Sequence, residues 1–341
     1  MLVKDLLEDI PSNTMDIVEQ TTKTWNHKIR SQLSTKLLRW QLKYSHKQNS
    51  YKATIDVKSN KIGIPTRLAD LKIPSGYERA ARLAVYAPAS RQLTDAALRL
   101  LPLFTERDQI KWVDTSIQPD MAKALLQGAI SLGKILEELA TPPTTSGRPF
   151  DLVKFILEIN EDVLGAYIYH PTSDSLKGTV ELYWGVIGLI AGSLDIDIQA
   201  LTIVVLAHEL AHGYTHLGCD RNGCSWKNLD FQKSESKVKE ALAQYYTHHI
   251  CEYLDGVVPD LYKAYWTLLE RQPYKYHLHL PLLLGSTPES VAAAMATLRK
   301  EPVQYDQLIG RLEIDSYIFD DGIDNWRRQV EHKRTHINES F

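Results

Sequence analysis

The segment His208-Glu209-Leu210-Ala211-His212 combines residue types and a spacing that suit metal-assisted hydrolysis. In an α-helix, positions four apart are rotated by about 40° and lie about 6 Å apart along the axis. His208 and His212 would therefore project from one face, where two imidazoles can bind one Zn²⁺. Glu209 would point about 100° away from His208, off the metal but beside the water that the metal activates, where a general base is needed.

The residues before this segment predict a buried helix. Leu201–Ala207 are almost all apolar, and the helix is expected to run from about Asp197 to Leu217. Asp195 or Asp197 can cap its start, and Gly218 can end it. Burial of two histidines and a glutamate costs free energy unless they are paired or bound to a metal. The alternative is a pair of core histidines satisfied by hydrogen bonds.

A catalytic zinc site needs a third protein ligand and one position left open. Glu240 is the predicted ligand, because it lies near the start of the next predicted helix, 236–254. A short reversing connection would bring that helix over the first. Glu235 is the rival on the same segment. For either glutamate, the alternative is a solvated carboxylate favoured by the helix dipole.

Three further residues near the segment are weaker candidates. His216 continues the row from His212 by one turn, too far from His208 to share its ion, and is interpreted as a supporting or surface residue. Cys219 and Cys224 could hold a second metal. Without a matching second pair, they are interpreted as two free thiols.

The run Tyr274–His279 is dense in aromatic and polar side chains. A tyrosine or histidine from it, Tyr276 or His277, could stabilise the oxyanion of a tetrahedral intermediate. The alternative interpretation, strand or loop residues at the surface, fits the pattern equally well.

The composition is that of a globular protein that needs no disulfide framework. Of the 341 residues, 44% are apolar and 24% charged, and the formal net charge is −3. Three cysteines fit a reducing compartment. The acidic N-terminus lacks the apolar core of a signal peptide, and no apolar stretch reaches the roughly 20 residues that span a bilayer. We therefore expect a soluble cytoplasmic protein that does not engage a membrane.

Turn-forming residues at 141–149 predict a linker between two parts. The first is a mainly helical N-terminal domain of unknown role, 1–140, and the second is a domain at 150–341 with a C-terminal helical extension. The expected fold class is α+β. Strands are predicted at 51–57, 155–159, 165–169 and 178–185. Further helices are predicted within 14–48 and at 93–103, 122–139, 260–271, 288–299 and from 324 onward.

The pattern of two histidines followed by a glutamate resembles the zincin superfamily of metallopeptidases, in its gluzincin-like branch with glutamate as third ligand. It is similar in particular to the bacterial ImmA/IrrE-type peptidases, whose third-ligand helix reads Glu-x-x-Ala-Asn-x-Phe-Ala. Glu240, Ala243 and Tyr246 fall in register with that helix. Gln244 replaces the asparagine, and Thr247 replaces the last alanine.

The resemblance covers roughly residues 150–255 and implies a small mixed sheet packed on the active-site helix, with an edge strand that borders the cleft. The candidate strand is 178–185, in which Val180 and Leu182 would bind an extended substrate through backbone pairing. The resemblance also implies cleavage of a regulatory, stress-response or phage-response protein.

The predicted function is therefore that of a zinc metalloendopeptidase acting on a protein or peptide substrate. One alternative is a non-catalytic, zinc-containing regulatory protein whose basic N-terminal part contacts nucleic acid or a protein partner. Residues 23–67 hold eleven Lys or Arg and one acid, Asp56, although a solvated basic face is the simpler interpretation. A second alternative is a zinc hydrolase of a non-protein amide, because the chemistry is the same.

Overall fold

The computed structural model describes residues 1–46, 49–85, 124–131, 151–158, 163–171, 176–220 and 223–314. Predicted elements at 93–103, 141–149 and from 324 onward lie outside these residues, as do parts of 122–139. Within them the chain is mostly helical with a small three-stranded mixed sheet, so the α+β prediction is confirmed. No helix among the described residues combines the length and apolarity needed to cross a bilayer.

The α-helices that the structure describes, in chain order, are Thr14–Ser31, Thr66–Ala69, Glu78–Ala84, residues 124–131, Leu152–Leu157, Trp184–Leu194, Ile198–Leu217, Asn228–Lys233, Ser236–Leu254, Leu261–Leu269, Leu280–Gly285, Pro288–Leu298 and Tyr305–Arg311. Val3–Asp9 and Tyr274–His279 form 3₁₀ helices, and Gln32–Leu37 forms a π-helical turn. The strands are β1 (Lys43–His46), β2 (Asn49–Lys52), β3 (Thr54–Lys58), β4 (Gly165–Tyr169) and β5 (Lys177–Leu182).

The three-stranded sheet has the order β3-β5-β4. β3 runs parallel to β5, with Val57 opposite Val180, and β4 runs antiparallel to β5, with Tyr167 opposite Val180. Because side chains alternate along a strand, Val180 and Leu182 share one face, and both are buried. Residues from both sides of the predicted linker thus contribute to one sheet.

The helix Ile198–Leu217, here called the HExxH helix, packs on the buried face of this sheet. Of the two predicted caps, Asp195 and Asp197, it is Asp197 that caps its start, since its Oδ1 accepts a hydrogen bond from the N–H of Ala200 at 2.8 Å. Gly213 permits the close approach of helix and sheet, because a Cβ at this position would lie 2.7 Å from Cδ1 of Ile55 in β3. Gly218 ends the helix, with its N–H bonded to the carbonyl oxygen of Tyr214.

The helix Ser236–Leu254, here called the Glu240 helix, packs against the HExxH helix. The connection between the two is fixed by Arg299, whose side chain is only 1% exposed. Its guanidinium donates to the carbonyl oxygens of Gly218, at 2.6 Å, and Cys224, pairs with Asp220 and stacks on Trp40. A buried cation with this many partners orders the turn that returns the chain toward His208 and His212.

Three local predictions were wrong. The expected strand at 155–159 is the helix Leu152–Leu157, capped by Asp151, because short apolar runs suit either a buried strand or a buried helix. The strand predicted at 178–185 ends at Leu182, and Trp184 begins a helix. Tyr274–His279 forms a 3₁₀ helix instead of a strand or an irregular loop.

Candidate metal centre

His208, His212 and Glu240 converge on one point. The two Nε2 atoms lie 3.1 Å apart, and Oε2 of Glu240 lies 3.3 Å from Nε2 of His208 and 3.7 Å from Nε2 of His212. The three side chains are 7–11% exposed. They form a group of ligand atoms within metal-binding distance of one another. The rival, Glu235, lies at the N-cap position of the helix that carries Glu240, and its Oε2 instead accepts a hydrogen bond from the N–H of Tyr305 at 2.8 Å.

The spacing of these three atoms fits a single tetrahedral ion. An ion bound at about 2.0–2.1 Å in tetrahedral geometry holds its ligand atoms about 3.3–3.4 Å apart, which is the middle of the observed range of 3.1–3.7 Å. Two imidazole nitrogens and one carboxylate oxygen are a donor set that zinc accepts. The triad therefore fits a divalent metal ion with one coordination position left over.

The electrostatics favour the ligand forms of His208 and Glu240. Burial lowers the pKa of His208, an effect that a hydrogen bond to Glu240 opposes, so the neutral imidazole is favoured. Burial by itself would raise the pKa of Glu240. The electrostatic attraction of His212 and side-chain hydrogen bonds with His208 and His212 outweigh this effect, so the pKa is lowered. A metal ion requires a neutral imidazole and an ionised carboxylate, so neither group must be forced into its ligand form.

Glu209 lies beside the triad without belonging to it. Its side chain is only 3% exposed, and it lines a pocket together with His208. Gly165 of β4 faces it so closely that a Cβ there would lie 3.0 Å from Cγ of Glu209. The carboxylate of Glu209 is thus held between the sheet and the HExxH helix, next to the metal position and off it.

An apolar pocket of about 500 Å³, open mouth included, adjoins the His208 side of the triad. Its apolar walls include Leu157, Leu164, Val204, Val205 and Leu268. Its polar lining includes His208, Glu209, Gln244, Gln272 and Tyr276. A pocket with apolar walls and a few polar groups at one end suits a side chain next to a reacting bond.

A second pocket, of about 450 Å³ including its open mouth, adjoins the other side of the triad. It is lined by Tyr167, Tyr169, His212, Phe231, Ser236, Lys239 and Glu240. Most of these side chains carry a polar or charged group. The triad therefore separates an apolar pocket from a polar one.

Tyr276 and His277, the two predicted oxyanion stabilisers, are placed differently. Tyr276 lines the apolar pocket, and its ring centroid lies 6.1 Å from that of His208. His277 is not among the described residues that line either pocket, and its Nε2 lies 3.0 Å from the carbonyl oxygen of Gln272. Burial also lowers the pKa of His277. Only Tyr276 of this pair reaches the site.

Among the described strands, the edge strand at the site is β4, and the prediction of an edge strand at 178–185 was wrong. β5 pairs on both sides, with β3 and with β4, so its backbone has no free edge. Val180 and Leu182 are buried in the core at 0% and 1% exposure and line neither pocket. Alternating apolar residues indicate a strand, but its place in the order depends on strands distant in sequence.

The remaining sequence candidates lie outside the triad. His216 is fully buried; its Nδ1 is 3.0 Å from the hydroxyl of Tyr167, and its ring stacks on Phe231 at 4.2 Å. Burial lowers its pKa to about 3. Cys219 is buried and Cys224 exposed, and both are free thiols.

Sequence reasoning missed Gly165, Tyr167 and Lys239. The first two lie in a strand that was correctly predicted, but nothing local shows that this strand borders the HExxH helix. Lys239 directly precedes Glu240, and its position one residue from a predicted ligand was the available signal.

No protein-family profile, curated protein or solved structure matches this chain.

Proposed function

We propose that this chain is a zinc-dependent peptidase of the zincin type, which hydrolyses peptide bonds of a protein substrate. The observation that carries the proposal is the convergence of His208, His212 and Glu240 with a buried glutamate, Glu209, held beside them. A structural metal site has no need of such a neighbouring carboxylate, whereas a hydrolytic site needs a base next to its open position.

In this proposal, His208, His212 and Glu240 hold the metal. When bound, a zinc ion supplies a Lewis acid that lowers the pKa of water toward about 7 and polarises a carbonyl oxygen. Glu209 takes the proton from the attacking water and delivers it to the nitrogen of the leaving amine as the C–N bond breaks. Its enclosure between Gly165 and the HExxH helix limits where its carboxylate can lie, which keeps the two proton transfers at one place.

The unpaired backbone edge of β4, among the described strands, supports binding of an extended substrate. β4 pairs with β5 on one side, and Gly165 at one end borders the apolar pocket while Tyr167 and Tyr169 border the polar one. A peptide that pairs with this edge would pass both pockets and cross the triad. This arrangement favours a peptide over a small amide, the second predicted alternative.

The alternative of a nucleic-acid-binding regulatory protein has weaker support. Several cations of the basic segment have partners within the fold: Arg30 donates to the carbonyl oxygen of Ile55, Arg39 pairs with Glu289, and Lys58 pairs with Glu181. These contacts explain part of the local charge without a nucleic acid.

The test of the proposed function is Glu209→Gln. This variant is expected to keep its metal but to lose at least about 100-fold in kcat on a cleaved protein or peptide, because the proton acceptor is gone. Glu235→Gln, on a glutamate of the same region outside the triad, is the matched control and should cleave like wild type. Mass spectrometry of the products and elemental analysis of both variants give the two readouts. Equal cleavage by Glu209→Gln and wild type would overturn the assignment.

A further inference from the structure

Lys239 presents a positive charge in the polar pocket next to the metal position. It directly precedes the ligand Glu240 and lines the pocket together with Tyr167, Tyr169 and Ser236. Ser236 and Lys239 are three residues apart on the Glu240 helix, so both side chains face the same way. The pocket wall opposite them is the face of β4 that carries the two tyrosines.

The ammonium group of Lys239 is held over an aromatic wall. Its Nζ lies 5.3 Å from the ring centroid of Phe231, which in turn stacks on the buried ring of His216 at 4.2 Å. A cation over an aromatic face gains a modest electrostatic stabilisation there. The Lys239 side chain is partly buried, and its contact with the Phe231 ring keeps the ammonium group at the pocket.

The two charged residues that line the polar pocket, among those the structure describes, differ in their surroundings. Among the described residues that line it, Lys239 and Glu240 are the charged ones, and the Glu240 carboxylate faces His208 and His212 at 3.3 and 3.7 Å. That carboxylate is engaged in the triad, so Lys239 is the charged residue of this lining that lies outside the triad. Ser236 and the tyrosine hydroxyls add further hydrogen-bonding groups.

We infer that Lys239 binds a carboxylate side chain of the substrate, so that the enzyme selects peptides with an acidic residue on one side of the cleaved bond and a large apolar residue on the other. This inference rests on the proposed function. The apolar pocket touches His208 and Glu209, and the polar pocket touches His212 and Glu240, so a peptide crossing the triad offers one side chain to each.

The experiment compares matched peptides that differ only by Glu against Gln. Both ends are blocked, so the side chain alone supplies the carboxylate. The sites come from a library digested by the wild-type enzyme, in which Asp or Glu should be enriched on one side of the cut and large apolar residues on the other. The Glu peptide should be cleaved with about tenfold higher kcat/KM than the Gln peptide, as expected for one charge-assisted hydrogen bond at a half-exposed site.

Variants of Lys239 then assign the preference to this residue. Lys239→Met should remove the Glu preference, Lys239→Arg should retain most of it, and Lys239→Glu should favour the same peptide with Lys in place of Glu. Lys237→Met is the matched control, because Lys237 lies on the same helix, is 56% exposed and pairs with Glu235 outside the pocket. Binding of labelled Glu and Gln peptides to Glu209→Gln, measured by fluorescence anisotropy, gives a second readout that does not depend on turnover.

The outcomes separate the two proposals. Cleavage of the Glu and Gln peptides at equal rates by wild type overturns the role of Lys239 and leaves the peptidase assignment standing. A preference that survives in Lys239→Met also overturns it. If a Gln peptide with a free C-terminal carboxylate is preferred while the blocked Glu peptide is not, the side-chain assignment is overturned. Lys239-dependent binding without any cleavage supports the carboxylate site and overturns the peptidase, whereas neither binding nor cleavage overturns both.

Discussion

Gly165 lies directly against Glu209, so that a Cβ on this glycine would be 3.0 Å from Cγ of the glutamate. The same Cβ would lie 2.9 Å from Cγ1 of Val205 and 3.1 Å from the carbonyl oxygen of Glu181, so three neighbouring residues crowd this position. We predict that Gly165→Ala shifts the Glu209 carboxylate and lowers kcat by about 100-fold without loss of metal, because misplacement of a catalytic group by about 1 Å can cost this much.

The control for this substitution is Gly310→Ala, since Gly310 lies in a helix with open space around its Cα. That variant should retain wild-type kcat and metal content. Steady-state kinetics and elemental analysis on both variants make the comparison. Wild-type kcat in Gly165→Ala would show that Glu209 does not depend on the close approach of β4.

Tyr276 lines the apolar pocket, and its ring centroid lies 6.1 Å from that of His208. We predict that Tyr276→Phe lowers kcat by about 100-fold with little change in metal content, as expected when one oxyanion donor is removed. His277→Gln is the matched control from the same 3₁₀ helix and should have little effect on kcat. Unchanged kcat in Tyr276→Phe would restrict this residue to lining the pocket.

The pH dependence of stability is predicted from His279, which is fully buried between two partners. Its Nδ1 is 2.7 Å from the carbonyl oxygen of Tyr276, and its Nε2 is 2.7 Å from the hydroxyl of Tyr265. A carbonyl oxygen only accepts, so Nδ1 carries the proton and Nε2 accepts from the tyrosine. Burial, opposed by the bond to the Tyr276 backbone, lowers the pKa of His279 from 6.5 to about 3.

Above about pH 6.5 this histidine is neutral in both folded and unfolded states. As the pH falls from 6.5 toward 3, the unfolded chain binds a proton that the folded chain excludes, so the free energy of unfolding decreases by up to about 1.4 kcal/mol per pH unit. Urea unfolding of the metal-free protein at pH 7 and pH 5 should show a smaller decrease in His279→Gln than in wild type. The same decrease in both proteins would refute the assignment of a neutral buried imidazole.

The sequence was most informative where geometry is local. Helical spacing alone put His208 and His212 on one face, and the pair Asp195 and Asp197 located the start of their helix, which Asp197 caps. Glu240 reaches the triad only if the chain turns back after Gly218. Arg299, which directly follows the distant helix Pro288–Leu298, helps to hold that turn. The resemblance in the segment around Glu240 supplied what spacing could not.

The errors concern features that depend on packing between distant segments. Val180 and Leu182 alternate like strand residues, but their central position follows from pairing with β3 and β4, which no local pattern encodes. Leu152–Leu157 has too few residues for the spacing of its apolar positions to distinguish a helix from a strand. Its burial against the core favours the helix. The two pockets arise only when β4 and the two helices meet, so Gly165 had no local signature, and Lys239 had only its position next to Glu240.

The most direct test of the account is the zinc content of the purified chain, measured by elemental analysis beside three variants. Wild type and Glu235→Gln should each carry one zinc ion per chain, whereas His212→Ala and Glu240→Gln should carry almost none. Glu235 and Glu240 lie at the start of the same helix, so this pair separates loss of a ligand from a general change of charge. Full zinc occupancy in Glu240→Gln or His212→Ala, or wild type that binds no divalent metal, would contradict the account.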